Sequence, residues 1–343
     1  MPVCTWAPDE RDGARGLPGT FGGVGPVATI TPGTVLRTRT VDCFGGLIRS
    51  PDDLPSRLPP DRVSNPLTGP FHVEGAQVGD TLAVHVVHLR PRGQGVSTTF
   101  PHFGALTGSY FTPTLNPPLP ERVWIYEFDL DAWTTRFVAG SGAHVDLPLD
   151  PMLGTMGVAP PNGEARSSLT PGEWGGNLDT PTLRVGTTAY FRVNVPGALL
   201  AFGDGHARQG EGETCGTGIE CPMDVVLLVD LVTSPGPVWP RLETDDELFT
   251  TGSTKPLEDA FRIAQRELVG WVAGLTGLDE LDAYQLLSQV ATAPVANVVD
   301  TNYTMLAGVR KSLLGALAPA AAYGGVHETL RGRAHQWTRE RAA

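Results

Sequence analysis

Glycine and proline punctuate this chain so often that short strands joined by turns are favoured over long helices. The 343 residues include 42 glycines and 31 prolines, about a fifth of the chain against a usual share of roughly an eighth. Neither residue recurs at a fixed period, so the excess reads as turn chemistry rather than a fibrous repeat. It is densest from Gly203 to Pro222, where twenty residues hold six glycines, the carboxylates Asp204, Glu211, Glu213 and Glu220, one histidine (His206), and Cys215 and Cys221. A helix there would lose roughly 1 kcal/mol per glycine relative to alanine, so the stretch reads as a loop of turns. It lies between two apolar runs, Leu199–Phe202 and Met223–Val232, that read as buried strands. Glycine-rich loops at strand ends are where a rigid scaffold presents functional groups.

The rest of the chain agrees with a mainly β, α+β protein. Ile30–Asp42, Thr81–Leu89, Val123–Leu130 and Thr188–Val195 carry strand patterns. Past Ser234-Pro235-Gly236-Pro237 the period changes to a helical one. Pro256–Thr276 and Asp279–Ala291 space their apolar residues for a helical pair, Val295–Val299 returns as a strand, and the last residues form a frayed helix. The expected division is a β-rich region, 1–233, carrying most of the site, with a helix-containing region, 234–343, packed on it, or one continuous domain. A formal net charge of −12 speaks against binding the nucleic-acid backbone. No basic-then-apolar leader opens the chain, and no run of about eighteen apolar residues spans a bilayer. Four cysteines without such a leader fit reduced thiols in the cytoplasm.

Carboxylates crowded beside a histidine, with no lysine in the stretch, repel one another unless a cation neutralises them. Asp204 and His206 are one residue apart, so an extended backbone points both to one centre. Glu220 can supply or support a third ligand, and Asp42 and Asp179, each beside glycines at a strand end or turn, can complete the shell; Asn177 sits two residues from Asp179. Three protein ligands and one open position suit zinc, while a carboxylate-rich shell also admits manganese or calcium. Glu211 and Glu213 are candidate general bases. His102, in a glycine–proline loop, is a candidate for the substrate pocket, whereas His85 and His88, three apart in a strand, face opposite sides and read as structural. Cys215 and Cys221 match no standard zinc spacing and read as pocket or supporting residues. Two other function classes stay open at this point. One is a non-catalytic protein holding a structural ion and a small polar ligand. The other is a hydrolase whose cysteine nucleophile, Cys43 or Cys215, is activated by His206.

The run from Gly203 to Glu220 closely resembles the hallmark loop of the acetamidase/formamidase family. Four further pieces look like that family in the same order: Thr40–Gly46, Asn65–Pro70, Val73–Ala76 with Gly79-Asp80, and Gly175–Asp179. Gly157–Pro160 also fits, and the likeness runs from about Thr29 to Val309. It implies a β-sandwich-like core with glycine-rich loops and a C-terminal helical portion. The implied protein is a cytoplasmic amidohydrolase that releases ammonia and a carboxylate from small linear amides. The resemblance also implies a divalent metal, zinc above all, and a site built from Asp42, Asn177, Asp179, Asp204, His206, Glu211 and Glu220. Assigned by chemistry, Asp42, Asp179, Asp204 and His206 are the metal ligands, and Glu211, Glu220 and Asn177 the catalytic groups. Further copies of the chain are the expected protein partner. The 217–222 segment and Thr155-Met156 depart from the family pattern, which leaves the preferred amide open.

Overall fold

Two facing β-sheets enclose the main core in the computed structural model, which describes residues 1–8, 14–107, 119–317 and 321–342. The larger sheet has nine strands in the order Val3–Thr5, Thr34–Thr40, Met223–Val232, Thr81–Pro91, Thr188–Arg192, Arg241–Glu243, Glu247–Thr254, Tyr303–Arg310 and Val295–Asn297. All neighbours are antiparallel except the first pair. The smaller sheet has five strands, in the order Gly175–Asn177, Met152–Gly157, Leu200–His206, Leu67–Val73 and Ala28–Ile30. A separate four-stranded sheet runs from Gln94 to Pro148 in chain order.

Alternation decides which side chains enter the core. Val225, Leu227 and Val229 of the large sheet meet Phe71, Leu153, Met156, Leu200 and Phe202 of the smaller one, all buried. Each large side chain so buried contributes about 1.5–3 kcal/mol. Val226 and Leu228, one position off, point to the other face, where Leu330 and Trp337 of the helix Val326–Ala342 cover them. The mainly β, sandwich-like architecture expected from the sequence is therefore present. The two helices also form as their periodicity predicts. Leu257–Thr276 begins after Pro256 and ends at Gly277 in the left-handed region. Glu280–Val290 is capped by Asp279, whose Oδ1 accepts from the N–H groups of Leu281 and Asp282, each at 2.9 Å.

One segment differs from its sequence reading, and two others are strands that the reading did not mark. Gly203-Asp204-Gly205-His206 is the end of the Leu200–His206 strand, not a turn. Leu67–Pro70 lies inside a strand, and Met152–Gly157 is a fully buried strand. In each case glycine marks close backbone approach rather than a bend. A Cβ at position 203 would stand 2.7 Å from the Pro66 carbonyl oxygen, and one at 157 would stand 2.4 Å from that of Trp174. Across the 233/234 seam the large sheet is continuous, with Thr188 paired to Glu243. Among the described residues no helix is long and apolar enough to cross a membrane.

Candidate active site

Strand ends from both parts of the chain deliver acids to one buried point. Asp204 and His206 project from the Leu200–His206 strand, which pairs with Met152–Gly157 in the register Leu153↔Gly205 and Thr155↔Gly203. Asp179 follows the short strand Gly175–Asn177, on the opposite side of Met152–Gly157. Gly154 lies beneath these acids: a Cβ there would stand 2.5 Å from both Asp179 Oδ1 and Asp204 Oδ2. Glu220 bridges back to the strand end opposite His206. Ligating atoms of Asp179, Asp204 and His206 all lie within 4.8 Å of one another; the same is true of His206, Glu213 and Glu220, and of Cys43, Asp204 and Glu220.

Several of these atoms lack a partner. His206 Nε2 is 2.9 Å from Glu220 Oε2 and 3.5 Å from Asp204 Oδ2, yet neither contact is aligned as a hydrogen bond. His206 Nε2, Glu220 Oε2 and Asp179 Oδ1 are all buried without one. Such groups are costly to bury. The remaining oxygens are well held. Asn177 Nδ2 donates to Asp179 Oδ2 and to Asp300 Oδ2, each at 2.7 Å, and Asn297 Nδ2 donates to the same two oxygens. Asn177 Oδ1 accepts from Asn65 Nδ2 at 2.7 Å and from the Thr155 hydroxyl. Asp42 Oδ1 accepts from the N–H groups of Phe44 at 2.9 Å and Gly46 at 3.0 Å.

The electrostatics follow from this crowding. Burial, then the charges of Glu213 and Asp204, push the Asp179 carboxyl well above the usual range. Burial likewise lifts Glu213 strongly, Glu220 to about 7 and Asp300 to about 6. Asp42 is raised by burial, against the pull of the Gly46 and Phe44 N–H groups. Burial also acts to lower His206, but the charges of Glu220 and Asp204 outweigh it and hold the imidazole well above its ordinary value. Asp204 runs the other way: burial would raise it, and the His206 charge brings it below the usual value. A proton on His206 and a divalent cation thus answer the same excess of negative charge.

The structure brings together Asp179, Asp204, His206, Glu220 and Asn177. Asp42 is buried, close enough for its charge to be felt with that of Asp204, and it lines a cleft of about 740 Å³. Glu211 is placed elsewhere: it is exposed, and the acid that the loop turns inward is Glu213, left 7% exposed. His102 is exposed in a loop adjoining the 213–217 turn, where Ala105 N–H bonds the Thr214 carbonyl. Cys215 is exposed at the rim of a 450 Å³ cleft lined by Trp124, Tyr126 and Phe137. Cys221 is buried and packs in the main core. Asn65, Asn297, Asp300 and Gln209 were not singled out from the sequence. The Asn297–Asp300 spacing was the available signal, because an Asx turn there uses Asn297 Oδ1 to accept from Val299 and Asp300 N–H.

Comparison with known proteins points the same way. The Acetamidase/Formamidase family matches residues 21–168 and 161–300. An acetamidase from Mycolicibacterium smegmatis is 27% identical over 67% of this chain and 68% of its own length. The crystal structure of an acetamidase from Yersinia enterocolitica superposes with a TM-score of 0.84 at 38% identity, covering 92% of this chain and 94% of the other. An acetamidase from Bacillus halodurans gives 0.78 at 32% identity, over 87% and 96%. The shared fold, and a match spanning most of the sequence that builds the acidic cluster, establish that this chain belongs to the acetamidase/formamidase family.

Proposed function

We propose that this amide-cleaving hydrolase acts on small linear amides of the formamide and acetamide kind, assisted by a divalent cation, zinc first, held among Asp179, Asp204 and His206. The observation that carries the reading is the set of three partnerless buried atoms, Asp179 Oδ1, His206 Nε2 and Glu220 Oε2, around a centre floored by Gly154. That donor set fits a cation. One imidazole nitrogen among carboxylates suits zinc or manganese, whereas calcium prefers oxygen ligands alone. A bound cation supplies Lewis acidity to the amide carbonyl.

The remaining work falls to the chain's own groups. Glu220, a buried carboxyl whose Oε2 lies 2.9 Å from His206 Nε2, is placed to take and return a proton, and ammonia needs one to depart. Glu213 stands by as a second buried acid. Asn177 and Asn297 hold the Asp179 carboxylate so that Oδ1 faces the centre. The cysteine route through Cys43 is disfavoured, because burial and then the charge of Glu220 push its thiol well up, away from the thiolate a nucleophile needs. The proposal includes a cytoplasmic homo-oligomer. Four free cysteines support the compartment. Phe261, Leu281 and Tyr284, exposed on the helical pair, support association.

The test pairs elemental analysis with ammonia release from formamide, acetamide and propionamide. The expected result is about one zinc per chain and turnover of at least one amide, with both lost in His206→Ala. Metal-replete protein that releases no ammonia, together with a His206→Ala variant unchanged in metal content and stability, would reject the reading.

A further inference from the structure

Three hydrogen bonds decide which way the Gln209 side chain faces. Its Nε2 lies 2.6 Å from the main-chain oxygen of Asp179 and 3.3 Å from that of Ala296. Carbonyls only accept, so both N–H groups of the amide are directed there. The amide oxygen is thereby turned towards His206 Nδ1, at 2.8 Å. That oxygen also only accepts, so Nδ1 must carry a proton. In the neutral ring the lone pair then falls on Nε2, the nitrogen that faces Asp204 and Glu220 without an aligned partner.

We infer that Gln209 is a positioning residue that holds His206 in the tautomer whose Nε2 is open to a cation, an inference that rests on the cation reading of the cluster. Partners of this kind, behind a ligating histidine, fix ring orientation as well as tautomer. Other features narrow the role to Gln209. Gly218 packs against the ring so closely that a Cβ there would stand 2.9 Å from Nδ1, so no side chain approaches the nitrogen from that side. The two carbonyls that fix the amide belong to Asp179, itself in the cluster, and to Ala296, next to Asn297. One side chain therefore ties the histidine to the two segments that hold the Asp179 carboxylate.

Long-range proton–nitrogen NMR of the full-length native protein, recorded at a pH high enough for the ring to be neutral and with His206 assigned by comparison with His206→Asn, reads the tautomer directly. Nδ1 is expected to keep its proton with and without zinc, and a bare Nδ1 in either state overturns the inference. Gln209→Met keeps the volume and removes the acceptor. Its zinc dissociation constant, from chelator competition, is expected to rise about ten- to hundredfold. In the same spectrum, at a pH where the ring is neutral, zinc-free Gln209→Met is expected to populate both His206 tautomers. Native affinity in Gln209→Met overturns the inference. So does a Gln209→Met spectrum in which the neutral, zinc-free His206 keeps its proton on Nδ1 as fully as the native ring does, which would assign the loss to packing. Should Gln209→Met fail to fold, the native spectrum decides. Should native protein bind no zinc, the cation reading falls while the Nδ1 proton still tests Gln209.

Discussion

At position 154 a single methyl group would press on two acids of the site at once. The absent Cβ leaves the space into which Asp179 Oδ1 and Asp204 Oδ2 point, and Asp179 has no room to retreat because Asn177 and Asn297 grip its other oxygen. Overpacking of this kind costs about 1–3 kcal/mol, but the geometric effect on the carboxylates is the larger expectation. Gly154→Ala should lower zinc affinity at least about tenfold while leaving a folded, if less stable, protein. Chelator competition beside urea denaturation measures both, and a variant that retains native metal content and ammonia release refutes this account of Gly154. At this scale the sequence was legible wherever chemistry and spacing coincided. Asp204 and His206, one residue apart, do meet in one cluster, although Asp204 takes a left-handed φ of +57° within its strand. Glu211 and Glu213 are two apart in a glycine loop, and no pattern says which turns inward. Glu213 does so with φ +44°, a left-handed conformation that composition does not announce.

Elements differ in how openly they declare themselves. The helices Leu257–Thr276 and Glu280–Val290 were readable because only one face of each is buried, which leaves a period in the sequence. Glu247–Thr254 and Tyr303–Arg310 were not read as strands, because both of their faces are covered. Phe249 and Leu306 join the main core, while Leu248, Met305, Ala307 and Val309 pack with the helices, and such strands lose their alternation. Val295–Asn297, beside them, was read as a strand at Val295–Val299, but the service of its last residue to the site was not. Asn297 donates to two buried carboxylates and accepts from two main-chain N–H groups. Removing it strands partners worth about 1–3 kcal/mol each. Asn297→Ala should therefore cost at least about 3 kcal/mol of stability and weaken zinc binding. Asp279→Ala, which removes an exposed helix cap nearby in sequence, should cost about 1 kcal/mol and leave zinc binding alone. Urea denaturation of the two variants compares them, and equal costs would show that Asn297 is ordinary surface chemistry.

Over the whole molecule, the same folding that buries an apolar sandwich also buries Asp42, Asp179, Asp204, Glu213, Glu220 and Asp300 around one histidine. Among the described residues no lysine or arginine forms an ion pair with any of these six acids. Glu220 and Asp300 have folded values of about 7 and about 6, above those of the unfolded chain. The native state therefore binds more protons than the unfolded one between roughly pH 4 and 7, so their contribution to stability is fully present below that interval and is lost as pH rises through it. A cation reverses the balance, since its ligands must be deprotonated and its binding adds to folding free energy. At a free zinc concentration about one hundred times the dissociation constant, the gain is about 2.7 kcal/mol. Zinc-stripped protein should accordingly melt at a lower temperature at pH 7.5 than at pH 5, and added zinc should raise the melting temperature by several degrees at pH 7.5 and by much less at pH 5. Differential scanning calorimetry of stripped and zinc-loaded samples at the two pH values makes the comparison. Identical melting of both samples at pH 7.5 would mean that the six acids are neutralised by bound protons and a protonated His206, and that the centre above Gly154 holds no metal.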